Sequence, residues 1–138
     1  MEKVAEAVRV ASDEVLALAN VARQSAEQGR LDDARMLLEG LIALEPRFAY
    51  LGTCLGCVYM RMGRNDEALV QFEDALHLDP KDVAAHTYAG ELRLERGEKP
   101  AGLTHLEAAI ALDPDGRNAF ANRARTLRLT AAGAGTGG

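Results

Sequence analysis

The sequence predicts an all-α fold: a superhelix of three stacked helix pairs. Two observations predict it. Pro46, Pro80 and Pro114 recur every 34 residues within Leu44-Glu45-Pro46, Leu78-Asp79-Pro80 and Leu112-Asp113-Pro114. A glycine, Gly29, Gly63 or Gly97, stands 17 residues before each proline. Two punctuators locked to one period mark a solenoid whose units bury their apolar faces only by stacking. A third observation sets the element type, because alanine and leucine dominate an apolar fraction of 48% and β-branched residues are few.

Each mark has a physical reason. The glycine closes the first helix of a pair, where a left-handed residue caps the last turn. The second helix opens at Asp32-Asp33, Asn65-Asp66-Glu67 or Lys99-Pro100. Acidic side chains suit the positive end of a helix, and proline is tolerated in its first turn. The later proline turns the chain into the next unit. Small residues, Ala22, Gly56 and Gly90 in the first helices and Ala34, Ala68 and Gly102 in the second, mark where paired helices cross. Leu38, Phe72 and Leu106 fill the space beside them.

Period and pattern together resemble the tetratricopeptide repeat family, an antiparallel helix pair per unit, which implies a right-handed superhelix. The resemblance divides the chain into units 15–48, 49–82 and 83–116, preceded by an N-terminal extension helix over 1–14. The middle unit fits best, through Leu55, Gly56, Tyr59, Gly63, Ala68, Phe72, Ala75 and Pro80. The outer units depart at Ser25 and Leu41, and at Arg93 and Gly102; mid-helix, Gly102 costs about 1 kcal/mol relative to alanine. Residues 117–131 read as a capping helix with Phe120, Ala124, Leu127 and Ala131 on one face, and 132–138 as a disordered tail.

The N-terminus admits two readings. Val4, Val8, Ala11, Val15, Leu18 and Ala22 follow a four-three spacing, as in one long helix with a heptad seam. Ser12-Asp13-Glu14 could instead cap a new helix at Val15, and a break near Ser12 is the expectation. A short helix cannot bury Val4, Val8, Ala11 and Val15 alone, so this stripe is expected to mediate a homodimer.

Helical periodicity places Leu16, Ala19, Arg23 and Ala26 of unit one on the concave groove. Unit two contributes Tyr50, Thr53, Cys57 and Met60, and unit three Ala84, Thr87, Glu91 and Leu94; Asn20, Cys54 and Tyr88 flank them. An extended partner segment suits such a channel, with tyrosine and methionine supplying contact area. Alternatively, Tyr50 and Tyr88 pack between units. Family members that grip chaperone C-termini use a clamp of Lys, Arg and Asn, but the corresponding positions here are Ala19, Arg23, Cys54, Ala84 and Tyr88. One basic residue does not make a carboxylate clamp.

A narrower resemblance runs through Glu45-Pro46-Arg47-Phe48-Ala49-Tyr50-Leu51-Gly52, Leu55-Gly56-Cys57 and Met62-Gly63. These segments, with three repeats between two terminal helices, are similar to the small type III secretion chaperones that keep translocator subunits soluble. That resemblance implies a client segment held in the groove; an adaptor or scaffold in another bacterial assembly is the broader expectation.

Other chemistries find little support. A net charge of -5 argues against nucleic acid, despite Arg117, Arg123, Arg125 and Arg128. No apolar run reaches the roughly 18 residues of a membrane span, which points to a cytoplasmic protein without membrane insertion. Cys54-Leu55-Gly56-Cys57 has redox or zinc spacing, but it falls mid-helix and lacks a second ligand pair, so buried small hydrophobes are the better reading. No Ser-His-Asp order, phosphate loop or dinucleotide turn occurs. No catalytic residue, metal or cofactor is expected, and the acidic pairs Asp32-Asp33 and Glu73-Asp74 read as solvated.

Overall fold

The computed structural model describes residues 2–136, the side chains of 5, 7–11 and 134–136 excepted. The described residues form seven helices and no strand: α1 (Glu2–Glu27), α2 (Leu31–Leu44), α3 (Ala49–Arg61), α4 (Asn65–Leu78), α5 (Val83–Glu95), α6 (Lys99–Ala111) and α7 (Ala119–Thr136). The pairs α1/α2, α3/α4 and α5/α6 stack in chain order, and α7 closes the stack against α5 and α6.

The three glycines do what their spacing predicts. Gly29, Gly63 and Gly97 hold φ of +84°, +75° and +80°, where a side chain would be strained. After Gly63 the Arg64 N–H donates to the Tyr59 carbonyl at 2.8 Å, while the Gly63 N–H donates to Met60 at 3.0 Å. The same two-bond cap follows Gly29 and Gly97. Asp32-Asp33 and Asp66-Glu67 lie in the first turns of α2 and α4, where charge rather than a side-chain cap steadies the helix end.

Helix crossings explain the small residues. A Cβ on Gly56 would lie 2.6 Å from the Phe72 ring, so the aromatic rests directly on backbone. Gly102, which propensity alone marks as a weakness, is a packing requirement. A Cβ there would meet Leu94 at 2.8 Å and the Gly90 carbonyl at 3.0 Å, because Gly90 and Gly102 cross each other.

Two N-terminal expectations change. Nothing between Glu2 and Glu27 is Gly or Pro, and α1 runs unbroken through Ser12-Asp13-Glu14. Within the stripe, Val15 packs into the protein's own core and is not free for a partner, whereas Val4 is 67% exposed. The side chains of Val8 and Ala11 lie outside the described residues. At the other end α7 continues to Thr136, into the stretch read as tail; residues 137–138 lie outside the described residues. On α7 it is Ala121 and Ala124 that are fully buried, while Phe120 turns elsewhere.

Candidate functional site: an apolar groove

The first helices of the pairs enclose a cavity of about 250 Å³. Its walls come from Arg23 and Ala26 on α1, Tyr50, Thr53, Cys54, Cys57, Val58 and Arg61 on α3, and Ala84 and Tyr88 on α5. Phe120 of α7 closes one end, with Leu38 and Asp82 completing the lining.

Thr53 and the charged groups of the wall are engaged within the protein. Asp82 accepts from the Thr53 hydroxyl at 2.6 Å and, as the cap of α5, from the Ala85 N–H at 3.0 Å. Arg61 donates to the Ala26 carbonyl at 2.7 Å, and Arg23 pairs with Glu27 at 2.9 Å. What remains for a guest is apolar surface, and a guest side chain there would gain by leaving water.

The aromatic end is ordered by stacking. Tyr88 lies 5.4 Å from Phe72 in a stacked arrangement and 5.7 Å from Phe120 edge-on. Thr87, fully buried, donates to the Phe120 carbonyl at 3.1 Å and pins α7 in place. Tyr88 therefore packs between units and also borders the cavity. Burial lifts the hydroxyls of Tyr50 and Tyr88 above the usual range, so both stay protonated at neutral pH.

Residues 55–117 match the family model described as tetratricopeptide repeat. No curated protein matches the chain by sequence. Among solved structures, the chain is similar to the type III secretion translocator chaperone SycD of Yersinia enterocolitica, at 21% identity and TM-score 0.80 over 88% of this chain and 85% of that one. It is similar also to Pseudomonas aeruginosa PcrH in complex with the chaperone binding region of PopD, at 21% identity and TM-score 0.79 over 88% and 93% of the two chains. The Sgt2 TPR domain of Aspergillus fumigatus matches at 17% identity and TM-score 0.79 over 91% and 83%. The fold is a tetratricopeptide-repeat superhelix.

The repeat register explains why some anticipated groove residues gather and others do not. Arg23, Tyr50, Thr53, Cys54, Cys57, Ala84 and Tyr88 converge on the cavity. Met60 borders a shallower opening beside Cys57 and Tyr88. Ala19 and Thr87 are wholly buried, Asn20 is half-buried, and Leu16 is 41% exposed away from the cavity wall. Glu91 and Leu94 border a separate opening of about 550 Å³ beneath α7, where Glu91 pairs with Arg123.

Sequence reasoning missed Phe120, Arg61 and Asp82. One further step of 34 residues puts Phe120 in register with His86, which faces a different opening, so the repeat spacing carries no signal for it. The cysteines are poor nucleophiles here. Burial raises the Cys54 thiol and pushes Cys57 up to about 12, the reverse of a redox thiolate. Half of the C-terminal basic patch is neutralised, since Arg123 pairs with Glu91 and Arg125 with Asp113.

The departure at Arg93 also acquires a reason. Tyr59 donates to Glu39 at 2.9 Å across the first joint. One period later Arg93 pairs with Glu73 across the second joint, so an ion pair replaces a phenol–carboxylate hydrogen bond at the equivalent place. Glu73 is thus half-buried and engaged rather than simply solvated.

Proposed function

We propose that the chain is a protein-binding module, not an enzyme, that holds an extended apolar segment of a partner in its concave groove and acts in the cytoplasm. The observation that carries this reading is the cavity whose charged wall groups are already paired within the protein, which leaves Tyr50, Cys57, Tyr88 and Phe120 as the attractive surface. The partner's anchor is then one bulky apolar side chain, since about 250 Å³ holds little more.

A second, narrower reading is a chaperone of the type III secretion translocator class. It is favoured over a general adaptor by the likeness to SycD and to PcrH carrying a bound segment of PopD. A homodimer through the overhanging start of α1 belongs with either reading.

Co-expression with affinity capture identifies the partner, and calorimetry with its bound segment tests the site. Tyr50→Ala and Tyr88→Ala should each weaken binding by about 2 kcal/mol, roughly thirtyfold, while exposed Asp74→Ala should not change it. Affinity should vary little between low and high salt, because screening acts on exposed charges. Indifference to both tyrosine changes, or a steep salt dependence, would move the interface to a charged outer surface.

A further inference from the structure

We propose that His86 and His105 form a two-histidine site for a divalent cation of the zinc class, in the opening between α4, α5 and α6. His86 stands on α5 and His105 on α6, with their Nδ1 atoms 3.2 Å apart. Two imidazole nitrogens bound to one tetrahedral zinc at roughly 2.0–2.1 Å lie about 3.3 Å from each other. The two helices therefore already hold the nitrogens at a ligand–ligand spacing.

A second observation concerns the far side of the His86 ring. Its Nε2 lies 2.9 Å from the Pro80 carbonyl oxygen, which accepts only. Nε2 therefore carries the proton, and Nδ1 presents its lone pair toward His105. A backbone carbonyl holding the outer N–H is the arrangement that orients metal-binding imidazoles. His105 binds in the same sense when its proton moves from Nδ1 to Nε2, so both ligands are neutral and no other group changes charge.

The surroundings suit a hydrated ion. The opening, about 300 Å³, is also bordered by Glu73, His77 and Arg93. The Arg93 guanidinium is taken up by Glu73 and Glu98. Among the described residues no three His, Cys, Asp or Glu side chains converge, so the protein supplies two ligands and water the remainder. Such a site is exchangeable, with the chain folding without it. Nitrogen donors select zinc, copper or nickel over magnesium and calcium. The opening shares no lining residue with the groove cavity, so this site stands or falls separately from partner binding.

The test is a Zn²⁺ titration of the full chain, stripped with chelator, at about neutral pH, followed by calorimetry and by the imidazole resonances of its three histidines. One zinc per chain should bind, shifting His86 and His105 strongly and His77 less, and Mg²⁺ should do nothing. His86→Gln and His105→Gln should each weaken binding roughly tenfold or more at unchanged helicity. If either variant misfolds, the resonances of the unaltered protein decide alone. No saturable binding would reduce the pair to a histidine–histidine hydrogen bond. Binding that survives both changes, or that disappears in Cys54→Ser/Cys57→Ser instead, would overturn the assignment.

Discussion

Gly40 and Gly56 both sit inside helices, yet substitution should move stability in opposite directions. A Cβ at Gly40 meets nothing within 4 Å, so Gly40→Ala should stabilise the fold by about 0.5–1 kcal/mol through reduced chain entropy. At Gly56 the same methyl strikes the Phe72 ring at 2.6 Å, and Gly56→Ala should cost about 1–3 kcal/mol. Urea unfolding of the two variants checks both signs at once. Cys54→Ala/Cys57→Ala should cost packing energy of up to a few kcal/mol and abolish no oxidoreductase activity; stoichiometric zinc or iron lost with the pair would contradict the packing role. The period made Gly56 legible, because a small residue there and a large apolar one at the Phe72 position recur in register. Gly102 was legible only as a small residue at a crossing; that it must be glycine rather than alanine follows from Leu94 and the Gly90 backbone, which the repeat pattern does not carry. The exchange of Tyr59–Glu39 for Arg93–Glu73 likewise becomes visible only when the helices show who faces whom.

Among the elements, α7 depends most on one residue. Asp113, buried, accepts from the Arg117 and Asn118 N–H groups, each at 3.1 Å, and from Arg125 at 3.0 Å. Burial alone would raise its carboxyl, but Arg125 and the two amides outweigh burial and hold it below the ordinary carboxylate range. The folded state therefore binds its proton less readily than the unfolded chain. The resulting stability is complete above the unfolded value near pH ~4 and is lost as pH falls through the lowered folded value. Asp113→Asn should flatten that acid limb and loosen α7, measured by helical circular dichroism against pH; an unaltered limb would assign it to Glu67 and Glu98, whose carboxyls Arg64 and Arg93 also hold low. The helix pairs were readable because glycine and proline punctuate them. The ends of α1 and α7 were not, because α1 carries no breaker where the repeat pattern stops and α7 continues through Gly133 and Gly135, residues that propensity assigns to a tail.

At the scale of the whole molecule, α1 outruns its neighbour. Its 26 residues span roughly 39 Å and the 14 of α2 roughly 21 Å, so the start of α1 extends past the stack. With Val4 exposed, this overhang is the expected contact with a second copy. Deleting residues 1–11 should shift a dimer to monomer in sedimentation while the remaining helices stay folded. An unchanged sedimentation profile would leave the stripe without that role. Which chain pairs with which was never written in the spacing: the four-three seam specifies a helical partner but not its owner.

The identical caps at Gly29, Gly63 and Gly97 join helices that touch mainly their neighbours along the chain. Contacts made over such short stretches of sequence place the protein among fast folders, where little loop must close before packing begins. A helix pair can form and recruit the next without waiting for the termini to meet. Refolding should then be complete within milliseconds, and a partner's segment would meet a finished groove rather than help to build one.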